Sequence, residues 1–204
     1  MNNTQKAYHA LKKFYGYESF RVGQLDIINT ILNKRDVFCL MPTGGGKSIC
    51  YQIPAILFEG ITLVISPLIS LMKDQVDALR ESGISGVYIN SSLKNDEIKE
   101  ILKDASLGMY KLIYIAPERL ESNYFRNMIL DLNISHIAID EAHCVSEWGH
   151  DFRKSYRYIK PFYEKLKNRP VISAFTATAT EEVRKDSIDL LGLKNTYMYL
   201  GDIN

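Results

Sequence analysis

The sequence predicts a three-layer α/β domain with a mostly parallel central sheet. Short apolar runs alternate with amphipathic stretches along almost the whole chain. The apolar runs lack a clean in–out alternation, which is the pattern of strands buried on both faces. The 204 residues are 46% hydrophobic and 24% charged, ordinary usage for a folded chain with a sizeable core. Strand–helix alternation of this kind implies right-handed crossovers that put helices on both sheet faces.

The elements follow in order. Residues 1–35 precede the first apolar run and read as two helices, Thr4 to Phe14 and about Arg21 to Asn33. Six strands are expected: Asp36–Met41, Ile61–Ser66, Gly86–Asn90, Lys111–Ala116, His136–Asp140 and Pro170–Phe175. Between the second and third, Leu68, Leu71, Met72, Val76 and Leu79 recur at helical spacing, with Gly83 as a stop. The stretch from Lys94 to Gly108 repeats that design. No internal repeat, low-complexity tract or Pro/Gly/Ser-rich linker interrupts the chain. One globular unit over 1–204 is therefore expected, the helices of 1–35 leading into a core domain of 36–204. The tail from Gly192 to Asn204, "GLKNTYMYLGDIN", reads as the beginning of something else.

Composition excludes some classes. A formal net charge of +1 gives no global basic field, so any nucleic-acid site must be local. Cys39, Cys50 and Cys144 contain no C-x-x-C pair, which indicates neither a zinc site nor a disulfide framework. They read as buried thiols. No apolar run reaches 18 residues, and the first twenty residues lack a signal-peptide core. The expectation is a protein without a membrane partner, in a bacterial cytoplasm or a eukaryotic nucleus.

The chemistry concentrates in two places. Met41, Pro42, Thr43, Gly44, Gly45, Gly46, Lys47 and Ser48 link an apolar strand to a helix start. That context is what a phosphate-binding P-loop requires. Glycines let backbone N–H groups converge on one anion, and the helix N-terminus adds its own unpaired donors. Lys47 supplies a compact cation for the β- and γ-phosphates of ATP, and Ser48 a hydroxyl for Mg²⁺. The usual spacing puts a glycine where Met41 stands.

The second place is Asp140 and Glu141, at the C-terminal end of a strand, where ligands of open α/β sheets bind. Placed beside the P-loop strand, Asp140 is expected to hold Mg²⁺. Glu141 is expected to orient or deprotonate the attacking water. With Lys47 they are the expected catalytic residues. For His143 two readings stand open: a satisfied histidine of the following turn, or a link between hydrolysis and a second binding site.

Several stretches in this order resemble superfamily-two helicases: Thr43–Ser48, Ser66–Val76, Ala116–Leu120, Asp140–His143 ("DEAH") and Ser173–Thr180. Leu11–Ile28 and Cys144–Ile159 narrow the likeness to the RecQ family of ATP-dependent DNA helicases. Many helicases also lack the glycine at the Met41 position. The resemblance implies a RecA-like P-loop fold that binds ATP and Mg²⁺ and acts on single-stranded and duplex DNA. It further implies that a second RecA-like domain belongs to the full-length chain and is not among these residues.

Residue by residue, the resemblance implies that Gln24 reads adenine while Tyr17 and Arg21 pack on the ring or ribose. The aromatics near them also suit plain helix docking. Trp148, Phe152 and Arg153, with Lys154, Tyr156, Arg157 and Tyr158, interleave aromatic and cationic groups, which suits bases and phosphates of a single strand. Thr176 and Thr178 are expected to bond the Asp140–His143 segment. Residues Ser66–Leu68 and Pro117–Arg119 are expected along a single-stranded backbone, although Pro at a helix start is also ordinary capping. An RNA helicase, or a nucleotide-switched binding module without catalysis, are the alternatives.

Overall fold

A computed structural model describes residues 1–202. Its sheet has seven strands: β1 (Val37–Leu40), β2 (Ile61–Ile65), β3 (Gly86–Ile89), β4 (Leu112–Ile115), β5 (Ile134–Ile139), β6 (Val171–Thr176) and β7 (Tyr197–Leu200). They lie in the order β3-β4-β2-β5-β6-β1-β7, and every pairing is parallel. Eight α-helices accompany them: α1 (Asn3–Ala10), α2 (Gln24–Leu32), α3 (Lys47–Leu57), α4 (Ile69–Glu81), α5 (Asn95–Ser106), α6 (Asn123–Ile129), α7 (Ile159–Tyr163) and α8 (Glu181–Leu190).

Both sheet faces are covered, which explains the unbroken apolar runs. Along β2, Ile61, Leu63 and Ile65 face one core with Ile98 and Leu102 of α5, Phe125 of α6 and Phe162 of α7. Val64, one residue out of phase, faces the other with Ile27 of α2, Tyr51 of α3 and Val76 of α4. Each such fully buried side chain stabilises the fold by about 1.5–3 kcal/mol, enough to hold strands only four residues long. A third cluster of Ala7, Leu11, Ile28 and Ile53 seats α1 and α2 on α3. The helices of 1–35 thus pack directly onto the helix that follows the glycine loop.

The structure departs from the sequence reading in three ways. The first helix ends at Ala10 and continues to Tyr15 with π-type bonding, stopped by Gly16 at φ +74°. The second starts at Gln24 rather than Arg21, capped by Gly23 at φ +85°. The tail contributes β7, an edge strand beside β1. Its side chains alternate: Tyr197 and Tyr199 pack on the second core while Met198 and Leu200 stay exposed. One face of β7 is open, so its apolar pattern is half that of the central strands. Ile203 and Asn204, the end of the tail, lie outside the described residues.

Candidate functional site

The loop after β1 is shaped by its glycines. Gly44 and Gly46 take φ of +80° and +86°, where L side chains are strained. A Cβ on Gly45 would lie 2.5 Å from Met41 Cγ, and one on Gly46 would collide with the Gln24 amide. The turn closes with Gly45 N–H donating to the Pro42 carbonyl at 2.9 Å. Lys47 and Ser48 then open α3, which has no side-chain N-cap. Its first N–H groups are therefore left for a ligand.

The segment before β1 grips this loop. Gln24 is buried; its Nε2 donates to the Gly46 carbonyl at 3.1 Å and its Oε1 accepts from Arg21 N–H at 2.8 Å. Arg21 Nη1 donates to the Gly44 carbonyl at 2.7 Å. The Gln24 amide thus spends one donor and one acceptor site on the protein and keeps one of each for a ligand. Tyr17, more than half exposed, stands at the rim.

A cavity of about 410 Å³ unites Tyr17, Arg21, Gln24, Gly44, Gly46, Lys47, Ser48 and Asp140. The predicted loop and the first predicted carboxylate therefore face one space. Ser19, Tyr51 and Gln75 also line it and were not anticipated. Tyr51, four residues after Lys47 on α3, carried a helical-spacing signal; Gln75 on α4 lay inside the helicase-like stretch Ser66–Val76 without being singled out. Burial and the neighbouring Glu141 push the Asp140 carboxyl up, while Lys47 pulls it down. Serine and carboxylate oxygens beside a lysine suit a hard Mg²⁺ ion carried with phosphates, so Ser48 and Asp140 fit that role.

One expectation about the sheet is corrected. β5, which delivers Asp140, is not beside β1: β6 lies between them. That intervening strand ends at Thr176, whose backbone carbonyl accepts from Met41 N–H at 3.0 Å. Its hydroxyl meets His143 Nδ1 at 2.7 Å. β6 therefore couples the loop to the acidic turn. The Thr176 hydroxyl donates to the Thr178 carbonyl at 3.1 Å and accepts from Thr178 N–H at 3.3 Å. Thr178 meets Thr176 through its backbone and, contrary to expectation, does not itself bond the Asp140–His143 segment. The Thr178 carbonyl and the Glu141 carboxylate together favour the Nδ1–H tautomer, with Thr176 Oγ1 accepting from His143. Burial, then the nearby His150, depresses the His143 pKa.

Glu141 occupies the left-handed region at φ +50°, a strained setting for a non-glycine residue of the sort that clusters at functional sites. Its carboxylate lies 3.4 Å from His143 Nδ1. Asp140 holds the turn from within: its Oδ1 accepts from Glu141 N–H at 3.0 Å, and its carbonyl accepts from the buried Tyr156 hydroxyl at 2.7 Å. Tyr156 thereby ties the acidic turn to the segment that follows the aromatic loop. Sequence reading placed it only among that loop's aromatic residues.

The loop itself presents Trp148 at 70% exposure and Phe152 at 40%. Arg153 N–H donates to the Cys144 carbonyl at 2.8 Å; its guanidinium lies 3.6 Å from Asp151 and 3.9 Å from Glu118. Arg157 covers the Phe152 ring, 5.1 Å from its centroid. Arg119 differs from expectation. Its guanidinium turns inward to the Asn90 carbonyl, serving the fold rather than a backbone track.

This combination defines a class: an α/β P-loop domain whose phosphate-type loop and acidic strand end share one cavity, with an exposed aromatic loop attached. The DEAD/DEAH box helicase model matches residues 21–186, and the chain belongs to that family. It is 54% identical to the ATP-dependent DNA helicase RecQ of Bacillus subtilis (strain 168), over 96% of this chain and 34% of that protein. To the RecQ of Haemophilus influenzae it is 45% identical, over 97% of this chain and 32% of that one. The chain thus spans about a third of the length of these curated relatives. Among solved structures, DUF1998 helicase MrfA bound to DNA aligns with a TM-score of 0.79 at 18% identity, covering 98% of this chain and 30% of that one. The Pyrococcus furiosus Hef helicase domain aligns at 0.68 and 21%, covering 89% and 38%. These structures establish the fold.

Proposed function

We propose that this chain is the ATP-binding motor domain of a 3′-to-5′ DNA helicase, coupling ATP hydrolysis to movement along single-stranded DNA and to duplex unwinding. The observation that carries the reading is the shared cavity: Lys47 and Ser48 on one wall, Asp140 on another, with Glu141 next in sequence. Lys47 grips the β- and γ-phosphates, while the backbone donors of Gly44 to Ser48 cradle them. Mg²⁺ held by Ser48 and Asp140 would neutralise developing phosphate charge. Glu141 accepts the proton of the attacking water. Gln24, Arg21 and Tyr17 form the side of the cavity suited to the nucleoside.

The second half of the reading is the grip on DNA. Trp148 and Phe152 offer stacking surfaces worth roughly 1–3 kcal/mol per base. Thr176 ties the glycine loop to His143, whose ring stacks on His150 of that loop with centroids 4.7 Å apart, a physical route from nucleotide state to the DNA grip. The relatives' names support DNA over RNA; competition between single-stranded DNA and RNA of equal length tests it, and preferential RNA binding would favour the alternative. By resemblance, a second RecA-like domain supplies an arginine to the transition state, worth roughly 10³–10⁵ in rate. These 204 residues alone should accordingly hydrolyse ATP very slowly.

Glu141→Gln tests the catalytic assignment. Residual hydrolysis under single-turnover conditions should fall by about 10²–10⁴ with ATP affinity nearly unchanged. Undiminished hydrolysis would remove Glu141 from the mechanism.

A further inference from the structure

Three unlike donor groups converge where the acidic turn meets the aromatic loop. Cys144 Sγ lies 3.8 Å from His143 Nε2 and 3.7 Å from Asp151 Oδ2. All three donor atoms fall within 4.8 Å of one another. A tetrahedral zinc ion with Zn–S of about 2.3 Å and Zn–N or Zn–O of about 2.1 Å would set sulfur roughly 3.6 Å from each of the other two donors. The two separations from sulfur, 3.8 and 3.7 Å, are within about 0.2 Å of that ideal.

The hydrogen-bond network prepares the imidazole. The Thr176 hydroxyl proton goes to the Thr178 carbonyl. With the Glu141 carboxylate also 3.4 Å from Nδ1, these contacts favour a His143 proton on Nδ1, facing Thr176 Oγ1 at 2.7 Å. Its Nε2 lone pair is left facing Cys144. Metal-binding histidines have their far N–H fixed by an outer partner in this way. Cys144 and His143 are buried beneath an exposed Asp151, so the carboxylate stands on the solvent side of the site. The absence of a C-x-x-C pair concealed this arrangement in the sequence, because one ligand comes from the far side of a loop.

We propose that His143, Cys144 and Asp151 form a binding site for a borderline-soft divalent cation such as zinc, with water as the fourth ligand. On binding, the Cys144 thiol releases its proton to solvent and the Cys144–metal bond forms. Asp151 exchanges its 3.6 Å contact with Arg153 for the metal. Mg²⁺, which takes oxygen ligands in octahedral geometry, does not compete. Because Asp151 lies between Trp148 and Phe152, the bound ion pins the aromatic loop to the acidic turn. Resting on the motor reading above, zinc then suppresses DNA-stimulated hydrolysis; the binding itself does not depend on that reading.

The test is titration of Co²⁺, as a spectroscopic stand-in for zinc, into the 204-residue chain in excess Mg²⁺. A thiolate-to-cobalt charge-transfer band with tetrahedral visible bands is expected, and Zn²⁺ should displace them. Cys144→Ser should abolish the charge-transfer band, while Cys39→Ser should retain it. Asp151→Asn, at an exposed position that leaves the fold intact, should weaken binding at least tenfold. A spectrum without the thiolate band, a band that survives Cys144→Ser, or parent-like affinity in Asp151→Asn would each overturn the site. Cobalt binding in a chain that binds no ATP would instead sink the nucleotide reading and leave the metal site standing.

Discussion

At the scale of single residues, the chemistry lies in groups whose surroundings hold one protonation state. His136 shows this away from the cavity. It is buried in β5, its Nε2 2.7 Å from Ser173 Oγ and its Nδ1 3.3 Å from Thr62 Oγ1, and burial lowers its pKa to about 3. The unfolded chain protonates this histidine below about pH 6.5. The neutral folded form thus contributes full stability above that pH and loses it as the pH falls from 6.5 toward 3. About 2 kcal/mol should vanish between pH 7 and pH 5, at roughly 1.4 kcal/mol per pKa unit. Urea unfolding at the two pH values measures this. His136→Gln should flatten the difference, and an unchanged difference would contradict the assignment. None of this was visible in the sequence, where His136 is one polar residue in an apolar run. Lys47, Ser48, Asp140 and Glu141 were visible, because their chemistry is local and their spacing to flanking elements is fixed. Tyr156 and Gln75 were not, since their roles come from residues far away in the chain.

At the scale of elements, the sheet edge near β1 depends on one carboxylate. Asp36 is buried. It accepts two bonds from Arg169, at 3.1 and 2.6 Å, and one each from Ile172 N–H at 3.0 Å and Lys194 N–H at 2.8 Å. One side chain thus joins the starts of β1 and β6 to the turn before β7. Asp36→Ala leaves the guanidinium and two N–H groups without their partner. The loss should be about 3–5 kcal/mol, read as a lower urea midpoint; a loss under about 1 kcal/mol would show that the contacts carry little energy. This junction also explains why β7 escaped sequence reading. The six predicted strands, β3 at the opposite edge included, announce themselves by continuous apolar runs. β7 is an edge strand with one open face, and its place is fixed by Asp36, by pairing with β1 and by Tyr199, whose ring fills the space beside Gly23. The strand order was hidden for the same reason. Nothing in the sequence says that β6 separates the glycine-loop strand from the acidic one, yet that insertion is what brings Thr176 to His143.

At the scale of the whole molecule, the fold places two surfaces at the C-terminal ends of its parallel strands: the phosphate-type cavity and, joined to it through the turn after β5, the aromatic loop. If that junction transmits DNA occupancy, Trp148→Ala in the complete protein should cut DNA-stimulated ATP hydrolysis at least tenfold while basal hydrolysis changes little. At 70% exposure the side chain contributes little to the fold, so equal losses in both rates would refute a coupling role. All of this rests on a narrower proposal: a nucleoside triphosphate lies between the glycine loop and Asp140. Calorimetric titration of ATP with Mg²⁺ into the purified chain and into Lys47→Ala tests it most directly. Saturable one-to-one binding by the parent chain is expected, with at least a tenfold loss in the variant and an unchanged urea midpoint. Equal affinity in the two proteins would place the triphosphate elsewhere and contradict it.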